Sequence, residues 1–141
     1  MTFYAGTADD EAELPYGVVI ARDFEETIRG DGCYYGNLQV RLVHDIDDFT
    51  ADAHDKILRE TQLALVNLHT PVADPDNAVT VLGMTPQKTQ QAPGKNVFVD
   101  IIPIVMGVAD LDPDSTSTIE RRTEKAFAEH LTARTTAQQS P

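Results

Sequence analysis

Leu38-Gln39-Val40-Arg41-Leu42-Val43-His44-Asp45-Ile46-Asp47-Asp48, followed by Ala53-His54-Asp55-Lys56-Ile57-Leu58, is the stretch on which the fold turns. Leu38, Val40 and Leu42 alternate with Gln39 and Arg41. That period of two belongs to a strand with one buried face and one wet face. The strand reads back to Cys33 and forward to His44. Asp47, Asp48 and Thr50 then supply side chains suited to capping a helix, and Asp52 suits the positive end of its dipole. Ala53, Ile57, Leu58, Thr61, Leu65 and Leu68 recur at spacings of three and four, so the helix carries a stripe expected to lie on a sheet. Pro71 disfavours a helical residue before it, which ends the helix near 67–69.

Working outward, Met1 to Ala5 reads as a short strand and Thr7 to Glu13 as an acidic loop. Pro15 to Ala21 reads as a strand opened by proline, a position where proline is tolerated. Gly30-Asp31-Gly32 signals a turn. Residues 70–76 form a loop, and Asn77 to Met84 a strand. Residues 85–95 carry prolines, a glycine and polar side chains, and read as a polar, mobile hairpin loop or arm. Asn96 to Val108 is the most apolar strand. Val97, Val99 and Ile101 share one face, and Ile102, Ile104 and Met106 the other, which suggests a central strand or one continuing into an interface. Ser117 and Glu120 have capping-box spacing for a helix over 118–133. Its apolar stripe of Ile119, Ala126, Phe127 and Leu131 is thin, so docking on a neighbouring subunit is expected. The fold class is α+β: a mixed or antiparallel sheet of about four or five strands covered by one main helix, plus a C-terminal helix. Residues 1–133 form one domain and 134–141 a disordered tail.

The totals agree with one domain. The chain has 141 residues, 41% of them apolar, enough for a core without disulfides or a structural metal. It has 23 acidic against 11 basic residues, a net charge of −12. Such a surface lacks the Lys and Arg needed to displace counterions from nucleic acid. Cys33 is the single cysteine, which excludes a disulfide within one chain. Its aromatic, strand-like surroundings fit a half-buried apolar residue better than a reactive thiol. No basic start followed by an apolar core marks a signal peptide, and no apolar run is long enough to span a membrane.

Chemistry-bearing patterns are few. His44-Asp45 and His54-Asp55 are two His-Asp pairs ten residues apart, as in metal-dependent phosphohydrolases, but one pair ends a strand and the other opens a helix. A charged strand-to-helix turn that caps the helix accounts for them better. Asp110 to Asp114 begins like a calcium loop, yet Ser115 stands where that loop needs glycine and Arg121 where it needs glutamate. No nucleophile elbow or phosphate-binding glycine loop occurs. No catalytic residue, cofactor or metal ligand is therefore assigned, and an enzyme is not expected.

The order of elements, with the phrases quoted above, resembles the tail-terminator and tail-completion (neck) proteins of long-tailed bacteriophages. Pro15 to Ile20 is similar to that family's proline-led strand, and Asn77 to Val108 to its later strand pair. The chain departs from the family in lacking an initial helix and adding a C-terminal one. The resemblance implies a structural virion protein. Copies would form a ring, of six subunits, between head connector and tail tube, with DNA passing through unbound. Thr85 to Lys95 and Asn96 to Val108 would then make intersubunit contacts. Phe98, Tyr34, Tyr35 and Arg41 are the candidate interface anchors, since aromatic residues and Arg dominate hot spots. The alternatives are an acidic binding or adaptor module, or a hydrolase using His44, Asp45, His54 and Asp55.

Overall fold

A computed structural model describes residues 1–47, 49–66 and 73–139. The alternating stretch becomes β3 (Cys33–Asp45), the longest partner of β7 (Val97–Asp110). The remaining elements are β1 (Phe3–Ala5), β2 (Tyr16–Glu26), α1 (Ala51–Val66), β4 (Ala73–Asp74), β5 (Val79–Pro86), β6 (Gln90–Pro93) and α2 (Ile119–Gln139). The fold is α+β, as expected. The sheet has seven strands in the order β1-β2-β3-β7-β5-β4, with β6 also on β7. Three of these are short, which is why the sequence suggested four or five. The β1–β2 pair is parallel and the others are antiparallel, so the sheet is mixed.

Residues 85–95 are a correction. They do not form a loose arm: Val79 to Pro86 and Gln90 to Pro93 run along the same edge of β7 as one interrupted strand. Gln87 N–H donates to Pro103 O across the interruption at 2.7 Å. The hairpin closes where Gly94 N–H donates to Val97 O at 3.0 Å, with Asn96 at a φ of 61°. Asparagine tolerates this left-handed conformation better than most residues. The turn therefore folds the polar segment back into the sheet.

One face of the sheet holds the core. Leu38, Val40 and Leu42 of β3 meet Ile102, Ile104 and Met106 of β7 there, all buried. In β2 a bulge between Arg22 and Glu25, with Asp23 at a φ of 60°, turns Phe24 inward. Gly36 is required beneath it, because a Cβ there would overlap the Phe24 ring.

The helices exchange the roles that the sequence suggested. α2 lies over β1, β2 and β5, and α1 packs chiefly on α2. Ile119, Ala126, Phe127, Ala128 and Leu131 are buried in the chain's own core. Polar groups on the same helix fasten the sheet edge. Glu124 Oε2 accepts from Ala21 N–H at 2.9 Å, and Thr132 Oγ1 from Phe3 N–H at 2.9 Å. Arg121 Nη1 donates to Ala5 O at 2.7 Å. Thr118, not Ser117, caps the helix, its Oγ1 accepting from Arg121 N–H at 3.1 Å. Residues 134–139, expected as tail, continue the helix; Ser140 and Pro141 lie outside the described residues. So do Asp48, one expected cap of α1, and 67–72, which include Leu68 and the expected helix end.

Asp110 is not a calcium ligand in waiting. It receives Arg122 through a two-pronged pair, Nη1–Oδ1 at 2.7 Å and Nη2–Oδ2 at 2.9 Å. This side-chain hydrogen bonding outweighs burial and holds the Asp110 carboxyl below the usual carboxylate range. A carboxyl whose folded pKa is depressed stabilises the fold above its unfolded pKa, near 3.9. That contribution is lost as pH falls through the folded value. Urea titrations from neutral pH down through about 4 should show Asp110→Asn less stable at neutral pH by about 3–5 kcal/mol, the cost of orphaning a buried charge. Its stability should also fall less steeply with acid. Leu131, on the inner face of α2, is 0% exposed, so Leu131→Ala should cost about 2–5 kcal/mol in the same assay. A surface-level loss would contradict the placement of α2.

Candidate functional site

At the end of the sheet where β3 turns into α1, three chemistry-bearing side chains meet. His44 lies near the C-terminal end of β3, on the buried face. Opposite it in register stands Phe98, and opposite Leu42 stands Asp100. Antiparallel pairing makes His44 and Asp100 diagonal neighbours on one face, within reach of each other's side chains. His54 comes from the first turn of α1. Thr50 starts that turn, its Oγ1 accepting from Ala53 N–H at 3.2 Å.

Asp100 Oδ2 lies 3.0 Å from His44 Nε2 and 2.6 Å from His54 Nε2. An ionised carboxylate only accepts, so in the hydrogen-bonded form each imidazole donates from Nε2. Burial pushes the Asp100 carboxyl up, but the hydrogen bonds and charge of His44 and His54 outweigh it and hold the group below its ordinary value. Its side chain is 0% exposed. The other oxygen, Oδ1, has no hydrogen-bonding partner, the only such buried side-chain atom among the described residues. A buried acceptor left unmade costs about 1–3 kcal/mol.

Two phenylalanines enclose the group. The Phe49 ring centre is 4.8 Å from that of Phe98, 5.0 Å from that of His54 and 5.8 Å from that of His44. His44 and His54 line a cleft of about 210 Å³ with Leu14, Pro15, Phe49 and Ile57. The imidazoles are thus reached from one side and held in an apolar setting on the other.

Of the two His-Asp pairs in the sequence, the structure unites the histidines and separates the aspartates. Asp45 Oδ1 accepts from Asp47 N–H at 3.0 Å, a local turn contact. Asp55 is 79% exposed, with Oδ1 at 3.6 Å from His54 Nδ1. The carboxylate that joins the histidines, Asp100, was not singled out. Its signal was present: it is the one charge inside the most apolar strand, and it shares the face of Ile102, Ile104 and Met106.

The four expected interface anchors divide between the two sides of the sheet. Tyr34 packs against the core and Phe98 against Phe49, so both are committed internally. Tyr35 is 51% exposed on the outer face, across from Gly107. Arg41 is half-buried on that face and donates from Nε and Nη2 to Gln39 Oε1 at 3.2 and 2.9 Å. Cys33 is half-buried, as its surroundings suggested.

No protein-family model matches the chain, and no curated protein matches it in sequence.

The cap at Thr50 sets where α1 begins and hence where His54 points. Thr50→Ala should lower stability by about 0.5–2 kcal/mol, the usual loss for an N-cap, and Thr50→Ser should restore most of it. Thermal denaturation of the two variants checks this.

Proposed function

We propose that the chain is a structural assembly subunit of the tail-terminator or neck type, closing into a ring with copies of itself between a head connector and a tail tube. One observation carries the reading. The outward positions of the central strand β7 are Val97, Val99, Ile101, Pro103 and Val105, all apolar, and Val105 is 50% exposed. An antiparallel sheet that faces water on one side normally alternates apolar inward with polar outward. Here neither helix covers that face, since α2 and α1 stack on the other. Contiguous apolar surface of this kind marks an interface.

The occupant proposed is the next copy. A ring needs a heterologous contact, in which the apolar face of one subunit meets a different surface of its neighbour. Tyr35 and Arg41 border the face and serve as its anchors. The net charge of −12 fits a passage that lets DNA through without gripping it. In this reading the protein performs no chemistry and belongs to the virion.

The convergence of His44 and His54 favours a second reading, metal-dependent hydrolysis, with Asp100 as the carboxylate in place of Asp45 and Asp55. Turnover of a chromogenic phosphodiester that depends on added metal and is lost in His54→Ala would favour it over assembly.

Light scattering on a sizing column, across concentration and salt, tests the ring. The expected result is a multiple of the chain mass that grows with concentration. Added salt should strengthen it, because like-charged subunits repel less when screened. Val105→Asp and Ile101→Asp should shift the mass to that of a single chain without unfolding it. A wild-type protein that stays monomeric at all concentrations, alone and with tail-tube protein, would sink the proposal.

A further inference from the structure

We propose that His44, His54 and Asp100 form a binding site for one divalent transition-metal ion, which pins the first turn of α1 to the sheet. The inference rests on the geometry of these three residues and on neither reading above.

Two imidazole nitrogens and a carboxylate oxygen come together from two strands and a helix, with all three ligand atoms within 4.8 Å of one another. Ligands bound at about 2.0–2.2 Å stand about 2.8–3.1 Å apart in cis positions of an octahedral ion and about 3.3–3.6 Å apart on a tetrahedral one. The Oδ2 separation of 3.0 Å from His44 matches octahedral spacing, and that of 2.6 Å from His54 needs only a few tenths of an ångström of opening. The donor set selects the ion: imidazole suits zinc, iron, nickel and copper, whereas calcium and magnesium take oxygen. Three protein ligands also leave at least one coordination position for water or another small ligand.

The unpartnered Asp100 Oδ1 gives independent support. A fully buried carboxylate with Oδ1 unmatched keeps acceptor capacity that the two imidazoles do not use. A cation beside it would draw on both oxygens, one directly and one through the charge. Binding through Nε2 requires that nitrogen to be free of a proton, so each neutral imidazole must carry its proton on Nδ1. The carboxylate nearest His54 Nδ1, Asp55 Oδ1 at 3.6 Å, stands just beyond hydrogen-bonding distance and would have to close in to accept that proton. Such outer partners fix the tautomer of ligating histidines. Phe49 and Phe98 supply the apolar shell, and the cleft lined by His44 and His54 supplies the entry path.

The test is direct. Untagged protein, stripped with chelator and dialysed, is titrated with Zn2+ and with Co2+. One equivalent is expected to bind, with visible Co2+ absorption and a melting temperature that rises with metal and falls back with chelator. His54→Ala and Asp100→Asn should each weaken binding by about 100-fold or more, beyond the 10–100-fold usual for outer partners. Asp45→Ala should leave affinity unchanged, and Asp55→Asn should weaken it about tenfold. Circular dichroism establishes that each variant is folded. Should Asp100→Asn fail to fold, His54→Ala decides, since that side chain sits at the rim of the site. Folded wild-type protein that takes up no metal overturns the proposal. Uptake that survives in His54→Ala overturns it as well. Ring formation is read by mass and metal uptake by titration, so either can fail without the other.

Discussion

The register of β3 on β7 is the constraint from which the rest follows. It runs unbroken from Cys33 opposite Ala109 to Asp45 opposite Val97. Side chains alternate with a period of two, so a slip of one residue would exchange the two faces of both strands. The hydrophobic pattern forbids that slip: Leu38, Val40 and Leu42 would leave the core, and Arg41 and Gln39 would enter it. The same register places His44 diagonally from Asp100. It also lines up Val43 with Val99 and Arg41 with Ile101 on the open side. Core, His-Asp-His cluster and apolar outer face are three results of one alignment.

β3, β7 and α1 were legible because local pattern determines them. β3 and α1 carry their own periodicities, β7 a continuous apolar run, and the flanking caps and turns agree. The role of α2 was not legible. Its apolar stripe is thin because part of its work is polar: Glu124, Thr132 and Arg121 satisfy the backbone of β1 and β2 where strand pairing runs out. Hydropathy counts those residues as solvent-facing. Only the tertiary arrangement reveals that they meet an unfinished sheet edge. The polar run at 85–95 was misread for a related reason, since Gln90 and Gln91 gain their strand conformation from β7, not from their own propensity.

The candidate site was half legible. Ten residues of separation between His44 and His54 could not show that a strand end and a helix start would face each other, because the turn between them decides the angle. The carboxylate was harder, since Asp100 is remote in sequence and sits among valines and isoleucines. A charge at a core-parity position of a central strand is costly to bury. That cost is itself the clue that the position has work beyond packing. In the hydrogen-bonded form only one of its oxygens is satisfied, and the surplus acceptor capacity leads to the inference of a bound cation.

The first residue of the chain meets the last helix: Met1 O lies 3.3 Å from Thr135 Oγ1, whose proton goes to Leu131 O at 2.7 Å, and Met1 packs against the core. Both ends of the described chain therefore emerge on the helical side of the sheet, near its β1 edge. Whatever polypeptide continues from either end, whether a natural extension or a grafted reporter, hangs from that side. The opposite side stays clear of it. A fluorescent or affinity fusion at either end thus starts from the helix-bearing side, away from the apolar face of β7.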